Sequence, residues 1–213
     1  MITMSSDLSI IFYTKENPKK YEEVLNNYEK EINEKLPNIV TVLGIRTILD
    51  KIVVDKIFGE EYYTIKIITD YNPYCSYFYE DEYPVEKAKQ IAKQNTQILI
   101  DTVKKVIKLI QPEFGYGGID GTIDDYEIKL DKNKKKYKNP EEFLSDITDN
   151  FTKLPWLFVY KEDLGIKIPE KVKWANTLID ISKKPQLIEK IGKCYLYILN
   201  TNSVSPAEGE GWL

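Results

Sequence analysis

The stretch PVEKAKQIAKQNTQILIDTVKKVIKLIQ, residues 84–111, contains the longest regular pattern in this chain of 213 residues. Its apolar residues recur every three or four positions, which is the spacing of one face of an α-helix. The members of this stripe are Val85, Ala88, Ala92, Leu99, Val103, Val106 and Ile110, and it is widened by Ile91, Ile98 and Ile107. A proline opens the stretch and a second proline follows it, as at the two ends of many helices. The sequence therefore predicts a long helix with two buried sides.

Segments rich in isoleucine, valine, threonine and tyrosine lie before and after this helix, and such segments are typical of β-strands. Before the helix they are residues 8–13, 39–48, 51–58 and 62–69. The last three follow one another with short turns between them, which predicts an antiparallel meander. After the helix they are residues 126–130, 154–160, 177–182 and 193–199, with residues 114–120 as a strand or a turn.

Shorter helices are predicted from the residues that mark helix ends. Asn17 and Pro18 are typical of a helix start, and apolar residues at helical spacing follow them. The sequence Asn139-Pro140-Glu141-Glu142 combines a capping asparagine, a proline in the first turn and the glutamate of a capping box. Residues 184–191 are predicted to form a short helix, because Gly192 follows them and glycine is common just after a helix.

Together these elements predict an α+β fold, with a mostly antiparallel sheet and the long helix packed on one face. A length of 213 residues suits one largish domain or two small ones. We expect a single domain over residues 1–213, because no linker is long enough to force a boundary. Two lobes, residues 1–118 and 119–213, stay open as an alternative.

The side chains available for chemistry are restricted. The chain has no histidine, two cysteines (Cys75 and Cys194) and one arginine, Arg46, among its 30 basic residues. Ser-His-Asp and Cys-His catalysis, histidine-ligated metals and a four-ligand structural zinc are therefore excluded. A single arginine and a net charge of −4 argue against a nucleic-acid binder, since phosphate contacts need clustered positive charge.

The sequence also allows expectations about location. No apolar run approaches the roughly 20 residues of a membrane helix, and residues 1–7 lack the features of a signal peptide. We therefore expect a cytoplasmic protein without membrane contact. In that compartment free, buried thiols at Cys75 and Cys194 are the favoured state, with a disulfide between them as the alternative. The polar tail from residue 203 is expected to be loosely held.

Two motifs resemble ligand sites at first sight. The sequence GYGGIDG, residues 115–121, lacks the spacing of a dinucleotide-binding loop and follows a helix. We expect there a strand or turn that another segment approaches closely. The carboxylates of Asp120, Asp124 and Asp125 suit Mg²⁺ or Mn²⁺ as ligands. A solvated acidic turn is the interpretation that we favour, so we expect no metal and no cofactor.

Residues 71–83 contain six aromatic side chains and the acidic triplet Glu80-Asp81-Glu82. Tyrosines supply large, rigid contact areas and are frequent at interface hot spots. We therefore predict a surface that binds a protein partner, and its residues are Tyr74, Tyr77, Tyr79, Glu80, Asp81 and Glu82, with Asp120, Asp124 and Asp125 as further candidates. The alternative is that alternate aromatic residues pack beneath the long helix.

The order of these elements resembles that of immunity proteins from polymorphic-toxin systems and of similar bacterial α+β domains. The resemblance lies in a long helix that ends in a proline-acid-aromatic-glycine motif, here Pro112-Glu113-Phe114-Gly115, followed by a strand that contains tryptophan, here Leu154-Pro155-Trp156-Leu157. It implies a non-enzymatic protein that binds and blocks a cognate toxin, and it carries over no catalytic residue.

The leading hypothesis is a non-enzymatic intracellular protein-binding module of the immunity type, whose acidic and aromatic surface meets a basic partner. Two alternatives stay open. One is a phosphoester hydrolase that uses Mg²⁺ or Mn²⁺ on Asp120, Asp124 and Asp125. The other is a structural or host-interaction protein of a virus or mobile element.

Overall fold

The regular elements lie in the parts of the chain that the computed structural model describes: residues 7–119, 137–143, 146, 155–162, 171–174, 177–180 and 185–205, with the backbone alone for 171–174 and 177–180. In the first half they are β1 (Asp7–Thr14), α1 (Glu22–Lys35), β2 (Thr41–Ile45), β3 (Thr47–Ile48), β4 (Lys51–Ile52), β5 (Val54–Ile57), β6 (Glu60–Asp70) and α2 (Val85–Ile110). In the second half they are β7 (Phe114–Ile119), β8 (Leu157–Lys161), β9 (Lys171–Trp174), β10 (Thr177–Asp180), β11 (Leu187–Ile191) and β12 (Cys194–Ile198).

Eight of these strands form one sheet, in the order β11-β12-β8-β7-β1-β6-β2, with β5 also paired to β6. Every pair of neighbours in this sheet is antiparallel. β1 lies near the middle, between β6 and β7, and it is buried along almost its whole length. Strands from before and after residue 119 therefore belong to the same sheet. The predicted antiparallel sheet is confirmed.

α2 covers one face of this sheet. Leu8, Ile10 and Phe12 alternate along β1 with residues of the other face, as side chains of a strand must. They belong to an apolar core to which the sheet, α1 and α2 all contribute. The residues of α2 in this core include Leu99 and Val103, at the helical spacing seen in the sequence. The prediction of a long helix packed on one face is thus confirmed.

Aromatic rings cover part of the opposite face. Tyr13 of β1 stacks on Phe114 of β7 with ring centroids 4.5 Å apart, and its hydroxyl lies 3.1 Å from that of Tyr116. Phe143, from helical residues 140–143, packs against the rings of both β7 residues. All four side chains are buried. Sequence reasoning did not predict this aromatic layer, because its members come from distant segments.

Two predicted helix starts have the expected contacts. Asn17 Oδ1 accepts a hydrogen bond of 3.0 Å from the N–H of Lys19, in a 3₁₀ turn (Pro18–Tyr21) that leads into α1. Asn139 Oδ1 accepts a bond of 2.9 Å from the N–H of Glu142. Each bond satisfies a backbone N–H that would otherwise lack a partner within the helix.

The helix predicted over residues 184–191 is wrong. Leu187–Ile191 forms β11, which is antiparallel to β12. Gly192 has a φ of +63° and begins the two-residue turn between these strands. The glycine that suggested a helix end is therefore a hairpin glycine. Gln111 fixes this hairpin: its Oε1 accepts a bond of 2.7 Å from the N–H of Lys193, and its Nε2 donates to the carbonyl of Ile191 at 3.3 Å.

β7 is a central strand between β1 and β8. The glycine-rich segment that starts at Phe114, for which either a strand or a turn was expected, is therefore a strand. A Cβ at Gly115 would lie 2.7 Å from the backbone oxygen of Ile11, and one at Gly117 would lie 2.7 Å from the side chain of Ile10. These glycines are required because β1 passes close beside them. An extended strand does not surround a phosphate as a loop does.

β2 and β5 pair with the same side of β6, one after the other, and the chain leaves the sheet between them. The excursion is a hairpin of β3 and β4, which pair with each other. The predicted meander is therefore wrong in one respect: β2 pairs with β6 and not with the segment that follows it. At the tip of the excursion, Leu49 and Asp50 have φ values of +49° and +63°.

Side chains of α1 occupy the outer edge of β2. Asn33 Nδ2 donates to the carbonyl of Thr41 and Asn33 Oδ1 accepts from its N–H, both at 2.9 Å. Glu29 Oε2 accepts a bond of 2.9 Å from the N–H of Leu43. Backbone groups at the edge of a sheet are otherwise available to a further strand.

Trp156 connects the sheet to the residues that follow β12. Its ring is fully buried and its Nε1 donates a hydrogen bond of 2.8 Å to the carbonyl of Asn200. Residues 203–205 are buried as well, and Ser203 Oγ lies 3.6 Å from Cys75 Sγ. The expectation of a loose tail is therefore wrong for these three residues. Cys75 and Cys194 are buried and are not joined in a disulfide, as the favoured expectation had it.

Candidate partner-binding surface

The predicted binding loop consists of two successive 3₁₀ turns, Asn72–Tyr74 and Ser76–Tyr79, between β6 and α2. The backbone repeats every three residues only within one such turn, and Tyr74 and Tyr77, which are three residues apart, lie in different turns. The first turn has Pro73 near its start, where its fixed φ suits the geometry. The two turns divide the aromatic residues of the loop into an inner and an outer group.

Tyr74 belongs to the inner group, and its place in the predicted surface is corrected. It is fully buried, together with Cys75, and its hydroxyl lies 3.1 Å from Thr69 Oγ1. Tyr71 is 9% exposed and belongs to the same core. A side chain without exposed surface cannot contact a partner, so Tyr74 supports the loop from beneath. For Tyr71 and Tyr74 the alternative prediction holds, namely that aromatic residues of this loop pack beneath the long helix.

Tyr77 and Phe78 form the outer group, and 49% and 46% of their surfaces are exposed. Tyr77 OH donates to Asn72 Oδ1 at 2.8 Å, which fixes the ring against its own loop. Phe78 was not among the predicted surface residues. The sequence contains no signal that separates Phe78 from its neighbours Tyr77 and Tyr79, since all three are consecutive aromatic residues.

Tyr79 holds this outer group on α2. Its hydroxyl donates to the carbonyl of Pro73 at 3.2 Å and accepts a bond of 3.0 Å from Asn95 Nδ2. Asn95 Nδ2 lies 2.9 Å from the same carbonyl, so one helix side chain ties both turns together. The rings of Tyr79 and Phe78 meet edge to face, with centroids 5.1 Å apart. The loop is therefore pre-organised by contacts of its own and with α2.

Glu80, Asp81 and Glu82 follow directly and are all exposed. Ser76 Oγ donates a bond of 3.1 Å to Glu80 Oε1, which holds the first of these carboxylates beside the turn. Residues 76–86 contain four acidic and no basic side chains. We call the group Tyr77, Phe78, Tyr79, Glu80, Asp81 and Glu82 the acidic-aromatic platform. An open groove of about 500 Å³ adjoins it, with Ser76 and Glu80 in its wall.

Burial raises the pKa of Tyr74 to about 12, from an ordinary value of 10.0. A group whose folded pKa is raised stabilises the fold fully below its unfolded pKa and loses that contribution as the pH rises through its folded pKa. We therefore expect the free energy of unfolding to fall by about 2–3 kcal/mol between about pH 10 and pH 12 on account of Tyr74. Urea unfolding across this range measures the slope.

Tyr74→Phe removes the ionisable group and is expected to make that slope shallower. Tyr77→Phe, which removes a hydroxyl at an exposed position of the same loop, is the matched control. Burial raises the pKa of Tyr71 as well, so part of the slope persists in Tyr74→Phe. Equal slopes in wild type and Tyr74→Phe would contradict the expectation.

The other predicted candidates are placed as follows. Asp120, Asp124 and Asp125 lie outside the described residues. Among the described residues, no three histidine, cysteine, aspartate or glutamate side chains are grouped so that they could hold a metal ion.

The buried Cys194 thiol has a pKa raised to about 11, and its Sγ donates to the carbonyl of Pro112 at 3.3 Å. A thiol in that state is a poor nucleophile at neutral pH.

The proline-acid-aromatic-glycine motif joins α2 to the sheet. The N–H of Glu113 donates to the carbonyl of Tyr13 at 2.8 Å, and Glu113 Oε1 accepts a bond of 2.6 Å from Lys161 Nζ. Phe114 begins β7 inside the aromatic layer. These contacts give the motif a structural role at the centre of the fold.

Comparisons with models of protein families, with curated proteins and with solved structures gave no match for this chain. The resemblance to immunity proteins therefore stays a prediction. Among the helices of the described segments, none is both long enough and apolar enough to cross a membrane.

Proposed function

We propose that this protein is a non-enzymatic module that binds a basic protein partner through the acidic-aromatic platform. The observation that carries the proposal is the exposure of two adjacent aromatic rings, Tyr77 and Phe78, beside three exposed carboxylates. Exposed aromatic side chains at such a site become buried anchors when a partner covers them.

The rigid support of the platform favours binding. A partner that orders a flexible loop loses about 0.5–1.5 kcal/mol for each side chain that it immobilises. Here the bonds from Asn95 to Tyr79 and from Tyr77 to Asn72 already restrict the loop in the free protein. More of the contact energy is then available for affinity.

The acidic residues select the partner. Glu80, Asp81 and Glu82 create a local negative field that attracts a basic surface and increases the rate of association, whereas the nearby Glu86 is paired with Lys89. The same field repels a phosphate backbone, so nucleic acid is disfavoured at the platform. A basic toxin blocked by this protein is one partner of this class, and that version of the proposal rests on the immunity-protein resemblance.

The test begins with a photo-crosslinking amino acid at position 78, and with the same amino acid at position 188 as the control. Ile188 is 62% exposed on β11 and Phe78 is 46% exposed, so the control position is at least as accessible and lies outside the platform. A partner captured at position 78 alone is then purified. Tyr77→Ala and Phe78→Ala are each expected to weaken its binding by about 30-fold, and Ile188→Ala by less than about twofold.

The carboxylates are tested by their effect on association rates. Replacing Glu80, Asp81 and Glu82 together by Gln, Asn and Gln is expected to slow association about tenfold at low salt. The difference should shrink at high salt, where charges are screened. The proposal would be refuted if the crosslinker captured partners equally at positions 78 and 188. It would also be refuted if Tyr77→Ala and Phe78→Ala both bound the partner with wild-type affinity.

A further inference from the structure

The eight-stranded sheet ends on one side in β11, and no strand lies beyond it in the part of the chain that the structure describes. Alternate residues of an antiparallel strand direct their backbone groups to opposite sides. The carbonyl of Pro185 accepts a bond of 2.7 Å from the N–H of Thr201, on the β12 side, and the odd-numbered residues of β11 continue on that side. The backbone groups of Ile188 and Lys190 therefore face away from β12, where no described group bonds to them.

The β11 edge lacks the protection that the β2 edge has, where side chains of α1 bond to three backbone groups. Edge strands are also protected by proline or by charged side chains. β11 has no proline, and its charged side chains are Glu189 and Lys190. Lys104 Nζ lies 2.6 Å from Glu189 Oε2, and Glu162 pairs with Lys190. Because both charges are already paired within the molecule, they oppose an incoming strand only weakly.

The chemistry of this edge matches an extended strand. The N–H and C=O groups of Ile188 and Lys190 form a row of donors and acceptors at the spacing of a β-strand, and another extended backbone presents the complementary row. The side chain of Ile188 is 62% exposed, on the face of the sheet opposite the core to which Leu187 and Ile191 belong. A strand laid against β11 would therefore gain backbone hydrogen bonds and also cover apolar surface.

The side chains of β11 suit a second copy of the same strand. Two identical strands that pair antiparallel are related by a two-fold axis, and one residue of each strand can lie on that axis, opposite its own counterpart. Glu189 or Lys190 on the axis would place like charges directly opposite each other, which destabilises a pair of strands. Ile188 on the axis instead brings two apolar, β-branched side chains together, which is a favourable cross-strand pair. The charges of β11 thus select one register.

We infer that this chain forms a two-fold dimer in which the β11 strands of two copies pair antiparallel, with Ile188 of one copy opposite Ile188 of the other. The N–H of each Ile188 then donates to the C=O of the other, and the two eight-stranded sheets join into one continuous sheet. The contact is short, so the dimer should be weak and reversible, with a dissociation constant of about 100 µM. This inference does not depend on the acidic-aromatic platform.

The first test is sedimentation velocity of the whole chain from about 1 µM to about 1 mM, over which wild type is expected to pass from monomer to dimer. Ile188→Pro removes an N–H that has no partner in the monomer, and an edge strand tolerates proline there. It should weaken the dimer more than tenfold, and Ile188→Lys should do the same by placing like charges on the axis. Ile188→Val is the matched control and should dimerise like wild type. Monomeric wild type throughout, or undiminished dimer in either disruptive variant, overturns the inference.

The second test examines the register. Ile188→Cys is expected to form a disulfide-linked dimer under mild oxidation, because the Cα atoms of facing residues lie about 5.5 Å apart, within the range that a disulfide spans. Lys190→Cys is the matched control and should not link, because its two copies would be four positions apart along the strands, roughly 14 Å. Both native cysteines are buried. Linkage at equal rates in the two variants, or in neither, contradicts the proposed pairing.

The dimer and the basic partner can be tested separately. At about 1 µM the protein is expected to be monomeric, so a crosslinker at position 188 stays accessible there as a control. At about 1 mM the same crosslinker should capture a second copy of this chain, and the mass of that copy distinguishes it from a partner captured at position 78. Capture of a different protein at position 188, without a second copy, overturns the inference and leaves the proposal for the platform unaffected.

Discussion

Gly115→Ala is expected to destabilise the protein by about 2–3 kcal/mol, although it adds a single methyl group. The new Cβ would lie 2.7 Å from the backbone oxygen of Ile11 and 3.1 Å from Cδ1 of Phe12. The carbonyl cannot move aside without disturbing β1, which pairs with strands on both sides. Chemical denaturation followed by circular dichroism measures the change.

Gly44→Ala is the matched control for this variant. Gly44 also lies in a strand, β2, but a Cβ there would have no atom within 4 Å. Alanine lowers the conformational entropy of the unfolded chain, so Gly44→Ala should be neutral or stabilise by up to about 0.5–1 kcal/mol. Equal losses in the two variants would show that strand propensity, and not the approach of β1, determines the effect.

Trp156→Phe is expected to cost about 2–4 kcal/mol, because it leaves space in a filled core and leaves the buried carbonyl of Asn200 without its donor. Hydrogen exchange should also become faster in residues 199–205, since this bond is one of those that hold them. Urea unfolding and exchange measured by mass spectrometry test the two effects.

Tyr197→Phe provides the comparison for Trp156→Phe. It also removes one side-chain hydrogen bond, from Tyr197 OH to Gln186 Oε1 at 2.6 Å, on the neighbouring part of the sheet. Gln186 is half-buried and can turn to water, so the cost should stay at about 1 kcal/mol or less. Equal losses of stability in the two variants would contradict the prediction that the buried position of Trp156 makes its replacement more costly.

The elements that could be predicted from sequence are those whose signals are local. α2 has an uninterrupted apolar stripe, and the start of α1 has Asn17 beside Pro18, so their neighbours in sequence determine them. β11 shows the limit. Leu187–Ile191 is a strand because β12 pairs with it and Gln111 closes the turn, and Gln111 lies 80 residues away. A glycine after an apolar segment fits both a helix end and a hairpin, and tertiary contacts decide between them.

The candidate surface was predictable in position but not in detail. An aromatic loop beside an acidic triplet is visible in the sequence, and Tyr77 is exposed where a surface residue should be. Tyr74 was predicted at the surface and is buried, and Phe78, which was not among the predicted surface residues, is exposed. No local pattern in a loop with so many aromatic residues shows which rings lie inward. The aromatic layer behind Tyr13 was hidden for another reason, namely that its rings come from segments up to 130 residues apart.

The bonds from Asn33 and Glu29 to β2 have a consequence for the protein at high concentration. An open strand edge is a template on which further chains add by backbone pairing, the route to ordered aggregates. In this protein the amide and carboxylate of α1 already satisfy three of the groups that an incoming strand would need. Growth from this side would first have to detach the helix, so α1 protects the native fold against polymerisation.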